Sequence, residues 1–230
     1  MDEQKRTPLE ILYSISRELA TSLDLHQVLA RILILSTEYI GAERASLVVL
    51  DKDGKPVDAA MIYDGVLMPH TIEQMQDVVT SGLAGWVLQN KKPALIPNTQ
   101  LDQRWLTRPE DAGEKDAARS ALAVPLMVHE SVVGVLTIVH AQINFFSQEQ
   151  LSLQQAIADL AGIAIRNAQL YEEVQTAHLR YRDLFEESID PIFITTMNGL
   201  IIECNNRAEI ATGLKQVDLQ NKRISELQEI

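Results

Sequence analysis

The sequence predicts an α+β chain: an antiparallel sheet with helices on its faces, a long C-terminal helix leaving it, and an incomplete α/β segment beyond. Three observations predict this. Leu122, Val124, Leu126 and Val128 alternate with Ala123, Pro125 and Met127, and after His129-Glu130-Ser131 the alternation resumes through Val133, Val135, Thr137 and Val139. Both faces of that hairpin are largely apolar, so both require a cover. Ser147 then opens a long helical run through a capping box with Gln150. Finally, residues 192–195 and 200–203 flank Asn198-Gly199, which reads as a two-residue hairpin in a second, smaller segment.

The remaining elements follow from local chemistry. Leu9, Leu12, Ile15 and Leu19 recur at three- and four-residue steps and predict a helix over 8–22, with Pro8 in its first turn and Thr7 as cap. Asp24 caps a second helix carrying Val28, Leu29, Ile32, Leu33 and Leu35, which ends at Gly41. A strand over 45–50, the Asp53-Gly54 turn and a partner strand over 56–63 come next. Helices are predicted over 72–79 and 83–89, and Lys92-Pro93 breaks the latter before a short strand over 94–96. Residues 97–118 are polar and show little periodicity; so long a connection reads as a lid over a pocket or as a solvated surface loop. Asn205-Asn206 precedes a helix around 207–211.

Along the long helix, Ile157, Leu160, Ala164, Asn167, Tyr171, Val174, His178, Tyr181 and Phe185 recur at alternating three- and four-residue steps, a heptad seam. A helix over 147–187 would reach ~60 Å, more than one sheet-based core can cover. A parallel homodimer, with the first helix of each chain joining a bundle, is the expected partner arrangement. Asn167 on that seam either fixes register or makes a local contact.

Composition bounds the function. With 230 residues and 46% hydrophobic content the chain can hold one or two domains. A net charge of −12 (20 basic minus 32 acidic residues) argues against nucleic acid or anionic membrane as partner. The one cysteine, Cys204, rules out a disulfide framework and a four-cysteine zinc site and fits a reducing cytoplasm. The first residues lack a signal-peptide core, and no apolar run approaches ~18 residues. No phosphate-binding loop, nucleophile elbow or metalloprotease helix is present, so the chain reads as regulatory and not as an enzyme.

GLAGWV at 82–87, KKPALIPN at 91–98, LDQRW at 101–105, SALAVPL at 120–126 and VVGVLTIVH at 132–140 stand in the order found in GAF domains, and residues 8–175 resemble that family. From Tyr181 the chain resembles the opening of a PAS domain, over about the first half of that family's length. The resemblance implies a GAF sensor over 1–175, a long helix and coiled-coil linker over 147–187, and a partial PAS domain over 181–230. It implies a module of a bacterial signal-transduction protein that binds a small ligand and relays the change through a dimeric helix to a downstream kinase or cyclase. The alternative is a dimerisation and relay module with no ligand of its own. For residues 187–230, a hairpin with so few strands implies lower order than the GAF core, or contacts borrowed from a dimer mate.

No cofactor is named by the sequence. No cysteine precedes Cys204, which counts against covalent bilin and against the several-cysteine cycle of GAF-fold methionine sulfoxide reductases. Residues 97–118 contain no histidine, which counts against haem, and Asn90-Lys91-Lys92 supplies only two residues of the Asn-Lys-Phe-Asp-Glu motif of cyclic-nucleotide-binding members. His178 lacks the acidic neighbour of a kinase phosphoacceptor. Candidate ligand-binding residues are Asp102, Arg104 and Trp105 in the lid, Ser120 at the start of the hairpin and His140 at its end; no metal ligand is assigned. Arg104 either grips an anion or is neutralised by Asp102, and Trp105 either stacks on a ligand or pins the loop. Ser120 and His140 are read either as ligand contacts or as satisfied structural groups, and Trp86 reads as core packing.

Overall fold

Alternation along the central strands decides the layers. The computed structural model describes residues 7–19, 22–69, 79–106, 120–220 and 222–229. Around its sheet lie α1 (Pro8–Leu19), α2 (Leu25–Ile40), β1 (Arg44–Leu50), β2 (Pro56–Tyr63), β3 (Val66–Pro69), α3 (Leu83–Asn90), β4 (Ala94–Ile96), β5 (Ser120–Val128), β6 (Ser131–His140) and the long helix α4 (Gln148–Glu186). The six strands pair antiparallel in the order β3-β2-β1-β6-β5-β4. Leu47, Val49, Leu122, Val124, Leu126, Leu136 and Ile138 pack with α1, α2 and the first part of α4. Val48, Leu50, Ala121, Ala123 and Val135 point the other way and pack with α3. Fully burying a leucine or valine contributes about 1.5–3 kcal/mol, so the two-sided apolar strands hold both covers in place.

The caps form as their residue types dictate. Asp24 accepts a 3.0 Å bond from the Gln27 N–H, and Gly41 takes the left-handed conformation (φ +73°) that closes α2. Ser147 and Gln150 form the reciprocal box at the start of α4, with bonds of 2.8 and 3.2 Å. Gln154 donates to Ser36 at 2.6 Å, Gln155 to the Pro125 carbonyl at 3.2 Å and Gln169 to the Leu50 carbonyl at 3.1 Å, so α4 is tied to α2, β5 and β1.

Several expectations shift. The first helix is described over Pro8–Leu19; residues 20 and 21 of its expected span lie outside the described residues, and Ser22 is not helical. Strand β3 was not anticipated; Asp64 and Gly65 both have positive φ and form the tight turn that folds it back on β2, pairing Val66 with Tyr63. Val128 pairs with Ser131, so the turn between β5 and β6 is only His129-Glu130. The helix expected over 72–79 lies, apart from Val79, outside the described residues, as do residues 107–118 of the expected lid. Part of the expected seam is taken up inside the protomer. Ile157 is fully buried and Ala164 is 8% exposed, both inside the chain's own core, while Leu160 packs against it. Phe185 is buried as well. These side chains are committed within the protomer, and the exposed large apolar side chains of α4 are Ile163, Leu170, Tyr171, Val174, Leu179, Tyr181 and Leu184.

The chain divides into two units at Leu170/Tyr171. In the second, β7 (Phe193–Thr195) pairs antiparallel with β8 (Ile201–Cys204), followed by α5 (Asn206–Thr212), α6 (Gln216–Leu219) and a 3₁₀ turn (Ile224–Glu229). Cys204, Ala208 and Leu219 form its core. The hairpin is not the expected two-residue one: the Gly199 N–H bonds Thr196 O, Thr196 N–H bonds Leu200 O, and a bulge falls at Ile194/Thr195. A two-residue turn of the Asn-Gly type needs positive φ at both residues, and here Gly199 alone of the two has it.

Candidate ligand-binding site

Strand register places a row of mostly small side chains, with Met61 at one end, across the middle of the sheet. Met61, Ser46, Thr137, Ala123 and Ala94 stand side by side on β2, β1, β6, β5 and β4. Alternation puts them on the α3 face, together with Ala121 and Val135. The adjoining row on the opposite face reads Ala60, Leu47, Leu136 and Val124. On the α3 side, alanine and hydroxyl groups thus sit among Val48, Leu50, Ile96 and Val135, while the opposite face is more uniformly large and aliphatic.

Trp86 and Trp105 pack against this floor. Helix α3 is held close to the segment before it: a β-carbon on Gly85 would stand 2.4 Å from the Val79 carbonyl oxygen, so glycine is required for this approach. That approach fixes where Trp86 emerges. The Arg104 guanidinium lies over the Trp86 ring, 4.8 Å from its centroid. The same guanidinium bonds Asp102 in a fork, Nε to Oδ1 at 2.9 Å and Nη2 to Oδ2 at 2.7 Å. Asp102 Oδ1 also accepts the Arg104 backbone N–H at 2.9 Å, and the Asp102 carbonyl accepts the Trp105 N–H at 3.1 Å. Hydrogen bonding to Arg104 holds the Asp102 carboxyl below its ordinary range, and the same bonds push Arg104 up. Arg104 is thus paired with Asp102, as one of its two readings expects, and lies over an indole face.

The structure brings Asp102, Arg104 and Trp105 together with Trp86 but places Ser120 and His140 elsewhere. They share the parity of Leu122 and Ile138, which puts them on the opposite face of the sheet. Ser120 Oγ donates to the Gln142 carbonyl at 2.7 Å, and His140 Nδ1 accepts the Gln142 N–H at 3.0 Å. The His140 ring stacks on Phe145, with centroids 3.4 Å apart, and its Nε2 is 3.7 Å from Glu43. Both residues fasten the connection between β6 and α4. The sequence reading missed Ser46 and Thr137, whose signal is a hydroxyl interrupting an apolar strand, and it favoured core packing for Trp86.

Residues 22–166 match the family model described as a GAF domain. The chain belongs to the GAF family. Residues 179–230 match the PAS fold, so a GAF domain is followed by PAS sequence. Both are regulatory domains. The chain is 25% identical over 224 residues to the Nif-specific regulatory protein of Azospirillum brasilense, covering 93% of this chain and 35% of that protein. It is 22% identical over 230 residues to the probable 3',5'-cyclic phosphodiesterase pde-5 of Caenorhabditis elegans, covering 96% and 31%. It therefore spans about a third of the length of these relatives. The solved GAF domain of a phosphoenolpyruvate-protein phosphotransferase from Coxiella burnetii superposes with a TM-score of 0.56 at 21% identity, covering 72% of this chain and 96% of that one. Among the described residues, no group of three or more His, Cys, Asp or Glu side chains could hold a metal ion, and no helix is long and apolar enough to cross a membrane.

Proposed function

We propose that the GAF domain is the sensing part of a signalling protein: a small molecule binds on the α3 face and the change passes through α4 to an output domain. Trp86 and Trp105 stack on a planar group, Ser46 and Thr137 offer hydroxyls from the floor, and Arg104 turns from Asp102 to an acidic group of the ligand. The observation that carries this reading is mechanical. The strands that floor the site also hold the helix, because Leu50 of β1 accepts from Gln169, Pro125 of β5 accepts from Gln155, and Gly162 packs on Met127. A shift of β1 or β5 is therefore felt along α4 directly.

The relay we propose is a parallel homodimer. Ile163, Asn167, Leu170, Val174, Ala177, Tyr181 and Leu184 are all exposed and follow alternating four- and three-residue steps. In heptad terms Asn167, Val174 and Tyr181 take a, and Ile163, Leu170, Ala177 and Leu184 take d, a pattern suited to two parallel strands with Asn167 setting register. Cysteines placed singly at Leu170, Val174 and Leu184, in a Cys204→Ser background, test this. Fast cross-linking there, slow cross-linking at Tyr171, and rates altered by Trp86→Ala are expected. Equal rates at every position would refute the relay. A relay without a ligand is favoured by one observation, that Arg104 is already satisfied by Asp102; in that case Trp86→Ala leaves the rates unchanged.

A further inference from the structure

Asp102 and Arg104 are partners held with unequal firmness. Asp102 Oδ1 accepts the Arg104 backbone N–H and the Arg104 Nε, each at 2.9 Å, so the turn itself fixes the carboxylate. Its Oδ2 accepts from Arg104 Nη2 at 2.7 Å. The guanidinium, at the end of a long flexible side chain, is held by that carboxylate and by the Trp86 ring 4.8 Å away. A ligand can therefore draw the guanidinium off Asp102 more readily than it can draw Asp102 out of its turn.

The pairing decides what kind of ligand can do this. The Asp102 side chain is only 20% exposed. An anion that took Arg104 for itself would leave that carboxylate without its cation, and the cost of an uncompensated charge offsets what the new contact gains. Nor does the chain attract anions at long range, since its net charge is −12. A ligand that brings its own cation removes the difficulty. Its ammonium group takes the guanidinium's place at Asp102 Oδ2 while Arg104 swings to its carboxylate. One charge pair becomes two, and the net charge of the site stays at zero.

We infer that the α3-face site binds a free α-amino acid with an aromatic side chain, an assignment that rests on the reading of that face as the ligand site. In an α-amino acid the ammonium and carboxylate groups share one carbon, so together they span two side chains that stand in contact. Trp86 and Trp105 belong to the same apolar cluster as Ala94, Ala121 and Ala123, so indole rings and methyl-sized neighbours lie together beside the pair. A flat side chain stacks on those rings, and neither end of the molecule is left unpaired.

Calorimetric titration of the whole chain with L-phenylalanine, L-tyrosine and L-tryptophan tests this. Saturable binding of at least one of them is expected, one molecule per chain. Its analogue lacking the ammonium group and its analogue lacking the carboxylate should each bind about tenfold more weakly, the scale of one charge-assisted contact. Asp102→Asn should bring the first analogue to within about twofold of the amino acid, and Arg104→Gln should do the same for the second. Far-UV dichroism checks that both variants fold, and comparing ligands within one variant removes any general loss of affinity. Equal binding of the amino acid and its deaminated acid by the unaltered chain, lost in Trp86→Ala, would keep the site and overturn the amino-acid assignment. Amino-acid binding that survives Trp86→Ala undiminished would overturn it too. Saturable binding of none of the three overturns the assignment alone, because the effect of Trp86→Ala on the cross-linking rates tests the site whatever its ligand.

Discussion

Gly162 of the long helix and Met127 of β5 meet so closely that a β-carbon on Gly162 would stand 2.8 Å from the Met127 carbonyl oxygen. Neither partner is the end of a flexible side chain, so the helix itself must move to admit a methyl group. Gly162→Ala gains about 1 kcal/mol of helix propensity but incurs about 1–3 kcal/mol of overpacking. Net destabilisation of about 1 kcal/mol is expected in urea unfolding; a stabilised variant would show that the contact gives way freely.

The Asp102–Arg104 pair predicts a pH dependence with a definite sign. The Asp102 carboxyl titrates below its ordinary value because Arg104 bonds its charged form. Its contribution is therefore fully present above the ordinary value of about 3.9 and is lost as pH falls through the lower folded value. In a Trp105→Phe variant, whose remaining indole is Trp86, fluorescence should change with a midpoint below about 3.9. Asp102→Asn should abolish that step, with far-UV dichroism separating it from unfolding. The same transition in Asp102→Asn would mean that another group reports.

Asn205 predicts an effect confined to the second unit. It is fully buried, and its side chain makes four bonds: Oδ1 accepts from Ile192 and Ala208, and Nδ2 donates to the carbonyls of Phe185 and Asp190. Asn205→Ala loses the α5 cap and leaves buried backbone groups unpaired, about 2–4 kcal/mol in all. Amide exchange should accelerate across 193–219 and stay unchanged in β5 and β6. Faster exchange in β5 and β6 as well would contradict this localised effect.

Cys204 should be a poor nucleophile. It is 1% exposed, and burial, then Glu209, Glu186 and Glu203, raise its thiol pKa. Modification by a thiol reagent should be slow in the native protein and rapid in denaturant; fast native labelling would show that the second unit opens readily.

What could be read from sequence was mostly local. Asp24, Gly41 and the Ser147–Gln150 box mark helix ends by contacts within a few residues, and the β5–β6 alternation declares a two-sided sheet without further information. Arg104, Asp102 and Trp105 stood out as a charged, aromatic group in a polar connection. The stacking of Arg104 on Trp86 joins residues 18 apart and depends on how tightly Gly85 lets α3 pack, which no short pattern encodes. Ser120 and His140 were grouped with the lid residues although their parity with Leu122 and Ile138 already set them on the other face. The outward stripe of α4 needed the core first: Ile157 and Ala164 fit a heptad equally well until the sheet claims them.

We propose that this GAF domain is a dimeric ligand sensor. Native mass spectrometry of protein purified gently from cells tests it most directly. The account predicts a dimer carrying a reproducible additional mass that is lost in Trp86→Ala. A monomer without added mass would contradict both the binding site and the relay.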